Sequence, residues 1–110
     1  MTAQEAGNFM RAFGDGTRLR VVSVLSVRPT TVGDLSRVLK CPEKRVSRHL
    51  RYLHARGFVV RRSVREGARY ELATPANPLH ATTLNALQKA LPAIDETAQD
   101  RARLSQLRRG

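Results

Sequence analysis

About a third of this sequence, from Arg37 to Arg69, carries most of the side chains that could bind another molecule. It holds eleven basic and two acidic residues, which account for +9 of the net charge of +11. Guanidinium and ammonium groups gathered in this way bind phosphates, and arginine also binds the edges of guanine bases. An anionic membrane surface is the other polyanion that such charge attracts. The basic residues are Arg37, Lys40, Lys44, Arg45, Arg48, Arg51, Arg56, Arg61, Arg62, Arg65 and Arg69.

The spacing inside this region predicts a helix with one apolar and one basic face. Pro42 suits its first turn, and Gly57 suits the left-handed residue just past its end. At about 100° per residue, its apolar residues share one face and its basic residues lie opposite. The apolar residues are Val46, Leu50 and Leu53, and the basic ones are Lys44, Arg48 and Arg51. One face can dock on the protein while the other meets a ligand.

A shorter helix is predicted just before this basic helix. Thr31 is a plausible N-cap, and Asp34 in the first turn complements the helix dipole. Its buried face consists of Val32, Leu35, Val38 and Leu39. Two helices joined by a short turn, the second of them basic, are typical of a helix-turn-helix that places its second helix in the DNA major groove. The sequence therefore predicts this motif at about residues 31–57.

The N-terminal part of such a helix usually reaches the base edges, and its later residues contact the backbone. The predicted base-reading residues are Lys44, Arg45, Ser47 and Arg48. Phosphate contacts are expected from Arg51 and Tyr52. A solvent-facing helix without a ligand is the alternative, but few acidic residues alternate with the basic ones, as a solvated helix would favour.

After Gly57 the sequence changes to β-forming residues on both sides of Glu66-Gly67, which predicts a two-stranded hairpin over about 58–73. Such a hairpin is called a wing. Its arginines could grip phosphates or enter a narrow minor groove. They are Arg61, Arg62, Arg65 and Arg69. Alternatively, the hairpin is purely structural and the arginines only keep its edge soluble.

Helices are also predicted on both sides of this DNA-binding region. The first covers Ala3 to Phe13, and the second begins at an Asp15 or Thr17 cap and ends at Arg28-Pro29. A C-terminal helix is predicted at about 78–107, with an apolar seam suited to packing on another helix. The seam consists of Leu84, Leu87, Leu91 and Ile94. Pro92 must kink this helix or divide it in two.

Two stretches resemble the ArsR/SmtB family of regulators. AFGDGTRLRVV, from Ala12 to Val22, resembles the family's A-L-x-D-x-T-R-L-x-I-L opening, and Val46 to Val59 resembles its recognition-helix signature. The resemblance covers roughly Phe9 to Leu72. It implies a mainly α fold with a small β-hairpin, a winged helix-turn-helix that dimerises through its N- and C-terminal helices. It also implies repression that is relieved by an inducer.

On this basis we expect a single domain over 1–110 that binds double-stranded DNA as a homodimer and recognises an inverted-repeat operator. The expected dimer contacts are Phe9, Phe13, Leu84, Leu87, Leu91 and Ile94. Two other classes remain open: a protein-interaction or antitoxin-like module that uses the C-terminal seam, and a general RNA or nucleoid binder. The operator and the inducer are not specified by the sequence.

The family's usual metal ligands are missing from the matching positions. Thr31 and Gly33 replace a cysteine pair, and alignment of the other site on His80 places Pro78, Leu91 and Ile94 where ligands would stand. We therefore expect no family metal site and no cofactor, with a metal response that is absent or, if one is formed across a dimer by Cys41, His49, His54 and His80, non-standard. His54 and His80 are expected at the surface, and His49 in a packing or phosphate-contact role.

Cys41 has two interpretations. It can pack as a small buried hydrophobe. It can also act as a redox thiol, since Lys40, Lys44 and a helix N-terminus would lower its pKa, which makes a redox-responsive regulator an alternative function.

No catalytic arrangement is found in the sequence, so an enzyme is not expected. No segment approaches the roughly 20 apolar residues of a membrane span, and we expect a cytoplasmic protein that does not bind membranes.

Overall fold

The computed structural model describes residues 1–107, and within them the chain is mainly helical with a small antiparallel sheet. The predicted fold class, a winged helix-turn-helix, is confirmed. The elements are α1 (Ala3–Arg11), α2 (Gly16–Val27), β1 (Thr30–Thr31), α3 (Val32–Leu39), α4 (Glu43–Ala55), β2 (Val59–Val64), β3 (Gly67–Leu72), α5 (Pro78–Ala90), a 3-10 turn (Leu91–Ala93) and α6 (Asp95–Gln106).

The helix starts are fixed by side chains that accept hydrogen bonds from free backbone N–H groups. Asp15, rather than Thr17, caps α2 by accepting from the Arg18 N–H at 3.0 Å. This hydrogen bond lowers the pKa of Asp15. Thr31 caps α3 as predicted, by accepting from the Asp34 N–H at 3.1 Å. Just past the C-terminal end of α4, Gly57 adopts the predicted left-handed backbone with φ of 78°.

The sheet has three strands where the sequence predicts two. Thr30 and Thr31 form β1, which pairs with β3 opposite Tyr70 and Arg69. A strand of two residues is too short to show a period-2 pattern, which explains why the sequence does not reveal it. Since Thr31 is both a strand residue and the cap of α3, the wing is joined directly to the start of the helix-turn-helix.

The core lies between α2, α3, α4 and the base of the wing. Among its fully buried side chains are Leu35, Leu39, Leu50 and Leu53, each no more than 1% exposed. The predicted apolar faces of α3 and α4 therefore pack against each other. Cys41, between these helices, is also part of this core at 8% exposed.

The predicted C-terminal helix over 78–107 is two helices, α5 and α6, separated by the 3-10 turn at Leu91–Ala93. Pro92 has no N–H to continue the helical hydrogen bonds of α5. The Thr97 hydroxyl donates to the carbonyls of Leu91 and Ile94, where the chain turns into α6. Leu91 is only 1% exposed within the single chain. Its predicted place in the dimer interface is therefore wrong, because its side chain has no surface left for a partner.

His80 is buried at 3% exposed, so the expectation of a surface histidine is wrong. Its ring lies 5.0 Å from the Phe58 ring and 5.5 Å from the Phe9 ring. The Ala76 backbone N–H donates to Nδ1 of the His80 ring at 3.2 Å. The His80 backbone N–H donates to Oδ1 of Asn77, which caps α5. A neutral imidazole can accept the hydrogen bond from Ala76 while the apolar surface of its ring packs on the phenylalanines.

This burial predicts a loss of stability in mild acid. Desolvation lowers the pKa of His80 below its usual 6.5, so the unfolded chain binds more protons as the pH falls below about 6.5. The stabilisation is complete above the unfolded pKa and decreases as the pH falls toward the folded one. We expect the free energy of unfolding, measured in urea between pH 7 and pH 5, to vary less steeply with pH in His80→Asn. His54→Asn, at an exposed position, is the control, and an equal reduction there would contradict this origin.

Candidate nucleic-acid interface

α4 presents the predicted residues along one accessible face. Lys44, Arg45, Arg48 and Arg51 are exposed, whereas Ser47 and Tyr52 are half-buried. The opposite face is buried in the core through Val46, His49, Leu50 and Leu53. The structure thus places all six side chains on the accessible side of α4, and the opposite side packs the helix against the rest of the protein.

Tyr52 is placed differently from the free phosphate contact that the sequence suggests. Its ring lies between two guanidinium groups, with the Cζ of Arg56 at 3.6 Å and that of Arg18 at 4.1 Å from the ring centroid. Two cations therefore lie within 4.1 Å of the ring centroid, where the tyrosine quadrupole attracts them. Arg18 and Arg56 are the residues that sequence reasoning missed here. The only signal for Arg18 is its place in the family-like opening motif.

Arg18 also connects the end of α1 with α4. Its Nε donates to the Ala12 carbonyl at 2.7 Å, and its Nη2 donates to the Arg11 carbonyl at 3.2 Å. Its Nη1 lies 3.5 Å from Nδ1 of His49. Burial is the main cause that lowers the pKa of His49. The Asp15 carboxylate opposes this shift, and nearby cations, of which Arg18 has the largest effect, add to it. A neutral, buried His49 fits the packing role expected for it rather than a phosphate contact.

Cys41 lies in the turn between α3 and α4. Its N–H donates to the Ser36 carbonyl at 3.1 Å, and its own carbonyl accepts from the Ser36 hydroxyl at 2.6 Å. The preceding residue, Lys40, has left-handed backbone with φ of 51° and ψ of 49°. Because Cys41 is buried among apolar side chains, the structure favours its interpretation as a packing residue.

The wing arginines are divided between two faces of the hairpin. Arg62 lies directly opposite Arg69 in the β2–β3 pairing, so these two share one face, and Arg61 lies on the other face opposite Tyr70. Arg65 lies in the turn between the strands. All four are exposed, but the Glu71 carboxylate pairs with Arg62. The strands therefore do not place the four arginines on a single surface.

The predicted dimer residues fall into three groups by exposure. Phe13 and Leu84 are each 9% exposed and, like Leu91, belong to the core of the single chain. Phe9 and Leu87 are half-buried against that core. Ile94 is exposed at 44%. Met10, which was not among the predicted dimer contacts, is another exposed large apolar side chain, at 47%. Only part of the predicted set can reach a second chain.

The positions of the family's metal sites hold no soft ligands here. Thr31 and Gly33 line a shallow groove with Arg61, between the start of α3 and the wing. Within residues 1–107, no three His, Cys, Asp or Glu side chains come together in a way that could hold a metal ion. Over the same residues, none of the helices has both the length and the apolar character needed to cross a membrane.

Residues 15–60 match the family described as "Bacterial regulatory protein, arsR family". The chain is also 37% identical over 71 residues to a protein of Synechocystis named "Transcriptional repressor SmtB homolog", which covers 64% of this chain. The chain spans 54% of that relative's length.

Solved structures with the same fold include the transcriptional repressor BigR of Xylella fastidiosa. It has a TM-score of 0.71 at 27% identity, over 83% of this chain and 87% of that one. Reduced HlyU of Vibrio cholerae has a TM-score of 0.68 at 23% identity, over 79% of this chain and 88% of that one. The likeness to HlyU concerns the fold alone.

Proposed function

We propose that this chain is a member of the ArsR/SmtB family of bacterial regulatory proteins, and that it is a transcriptional regulator that binds double-stranded DNA with α4 and the wing. Because its relatives are transcriptional regulators, we infer that the chain acts as a regulator rather than as an enzyme. The observation that carries the proposal is the orientation of α4. Its apolar side is buried in the core, and four basic side chains are exposed on the opposite side at the spacing of a major-groove reader.

We further propose that two copies bind an inverted repeat, with both α4 helices in successive major grooves. The exposed apolar side chains of Met10 and Ile94, together with half-buried Phe9 and Leu87, support a second copy as partner of the terminal helices. Repression is supported by the Synechocystis relative and the Xylella structure, which are both named as transcriptional repressors.

A selection from random DNA duplexes tests the DNA part of this proposal. We expect enrichment of one two-fold symmetric sequence at moderate salt, with binding that weakens steeply as salt is raised. Equal recovery of all duplexes would favour a general nucleic-acid binder. Light scattering of the purified chain tests the dimer, and a monomer at micromolar concentration would favour the protein-interaction alternative.

The wing role predicts a change in salt dependence. Arg65→Ala should lower the slope of log K against log salt by about one unit, because each phosphate contact releases roughly one counterion. Binding to the selected duplex would be measured by fluorescence anisotropy at several salt concentrations. Lys89→Ala, which removes an equal charge from an exposed position on α5, is the matched control. An unchanged slope in Arg65→Ala would remove this residue from the interface.

A further inference from the structure

Asp100 on α6 is a fully buried carboxylate held by two arginines from different helices. It is 0% exposed. Arg20 of α2 donates to both of its oxygens, from Nε and Nη2 at 2.9 Å each, and Arg103 of α6 donates from Nη2 at 2.8 Å. The hydrogen bonds to Asp100 raise the pKa of Arg20 above its usual value. A buried charge is tolerated when it is paired and hydrogen-bonded in this way.

The same two guanidinium groups also hold the end of α3. Arg20 Nη2 donates to the Leu39 carbonyl at 2.8 Å, and Arg103 Nε donates to the Val38 carbonyl at 2.6 Å. These are among the last carbonyls of α3, which have no partners within the helix. Positive charge at this end of the helix also interacts favourably with the negative end of the helix dipole. Asp100 therefore orients two cations as a cap on the C-terminus of α3.

This cap lies next to the turn that sets the direction of α4. Only Lys40, Cys41 and Pro42 separate Leu39 from the first residue of α4. Lys40 has left-handed backbone, and Cys41 is held by Ser36. With so short a connection, a shift in the end of α3 must displace the start of α4, where the predicted base-reading residues lie.

We propose that Asp100, Arg20 and Arg103 are positioning residues for DNA binding, and that they lock the turn between α3 and α4 so that α6 controls the affinity of α4 for its operator. The DNA part of this inference rests on the proposed function. The effect of these residues on the turn does not rest on the proposed function, because it can be measured without DNA. We name this set of three residues the α6 clamp.

A second arginine of α6 provides a matched control. Arg101 donates from Nε to the Ser23 hydroxyl at 3.1 Å and from Nη2 to the Ser23 carbonyl at 3.5 Å, both on α2. It thus also joins α6 to the body of the protein, but not through the end of α3. Arg103→Gln and Arg101→Gln remove the same charge from the same helix, so a difference between them reports the contact with α3.

Cys41 serves as a natural probe of the turn, since it is the single cysteine of the chain and is buried. Its reaction with a water-soluble maleimide under native conditions requires the turn to open locally. We expect Arg103→Gln to react on the order of tenfold faster than Arg101→Gln, with the wild type slowest. Urea unfolding of each variant identifies any increase that comes from global instability.

Affinity for the selected duplex is the second measurement. Arg103→Gln should bind on the order of tenfold more weakly than Arg101→Gln, within the range usual for coupled sites. Asp100→Asn adds one positive charge to the net charge of +11, so simple electrostatics would strengthen its binding to DNA. We expect weaker binding instead. If Asp100→Asn does not fold, the Arg103 and Arg101 pair still decides.

The outcomes separate the two claims. Equal labelling rates in Arg103→Gln and Arg101→Gln at equal stability would overturn the claim that the α6 clamp holds the turn. Faster labelling with unchanged operator affinity would overturn the control of DNA binding by α6. A wild-type chain that selects no duplex would overturn the proposed function, whereas the labelling rates would still decide whether the clamp holds the turn.

Discussion

Arg48→Ala is expected to remove most of the preference of the protein for its selected operator over unrelated duplex, while leaving the fold intact. Arg48 is exposed in the middle of α4, and its side chain makes no hydrogen bond to other residues within residues 1–107. Arginine commonly reads guanine through two hydrogen bonds to O6 and N7. Loss of one such pair costs about 1–3 kcal/mol of discrimination, or roughly fivefold to 150-fold.

The measurement is the ratio of dissociation constants for the selected and a scrambled duplex at one salt concentration. Arg51→Ala is the matched control, because it removes the same charge from the same face of α4. As a phosphate contact, Arg51 should contribute similarly to both duplexes, so its loss weakens binding and leaves the ratio nearly constant. A ratio that survives in Arg48→Ala, or that falls equally in both variants, would contradict base reading by Arg48.

Phe58→Ala is expected to cause the largest loss of stability among single substitutions. Phe58 is 4% exposed. Its ring centroid lies 4.8 Å from that of Phe9, 4.9 Å from that of Phe13 and 5.0 Å from that of His80. Truncation of a buried phenylalanine costs about 3–5 kcal/mol, which is a large share of the roughly 5–15 kcal/mol that stabilises a typical domain.

Urea unfolding followed by circular dichroism would measure this loss. Phe58→Leu should cost much less, because a branched aliphatic side chain refills most of the space. A change below about 1 kcal/mol in Phe58→Ala would show that α1 and α5 do not pack on the base of the wing as described. The cluster joins α1 and α5 to the hairpin, so its loss should also weaken any dimer that these two helices form.

Local chemistry explains why much of the candidate site could be predicted. The faces of α4 follow from helical period and the hydrophobicity of Val46, Leu50 and Leu53, because a buried stripe leaves the basic stripe in solvent. Thr31 and Gly57 mark their helix boundaries through side-chain capping and left-handed backbone, which act within a few residues. The family resemblance rests on the same local motifs, and the family comparison bears it out.

Contacts between residues far apart in the chain could only be seen in the tertiary structure. The pairing of β1 with β3, the burial of His80 among phenylalanines and the packing of Arg18 on Tyr52 join segments that no local period relates. Leu91 follows the C-terminal seam yet packs inward, because Pro92 redirects the chain.

The basic character of the segment from Arg37 to Arg69 was thus determined by the sequence alone, since charge and helical period are properties of neighbouring residues. Which cations remain available to a ligand was decided only by tertiary structure. Glu71 pairs with Arg62, and Asp100 holds Arg20 and Arg103 at the end of α3. The bonds between Arg20 and Asp100 span 80 residues, and the position of a buried carboxylate depends on packing that the order of residues does not display.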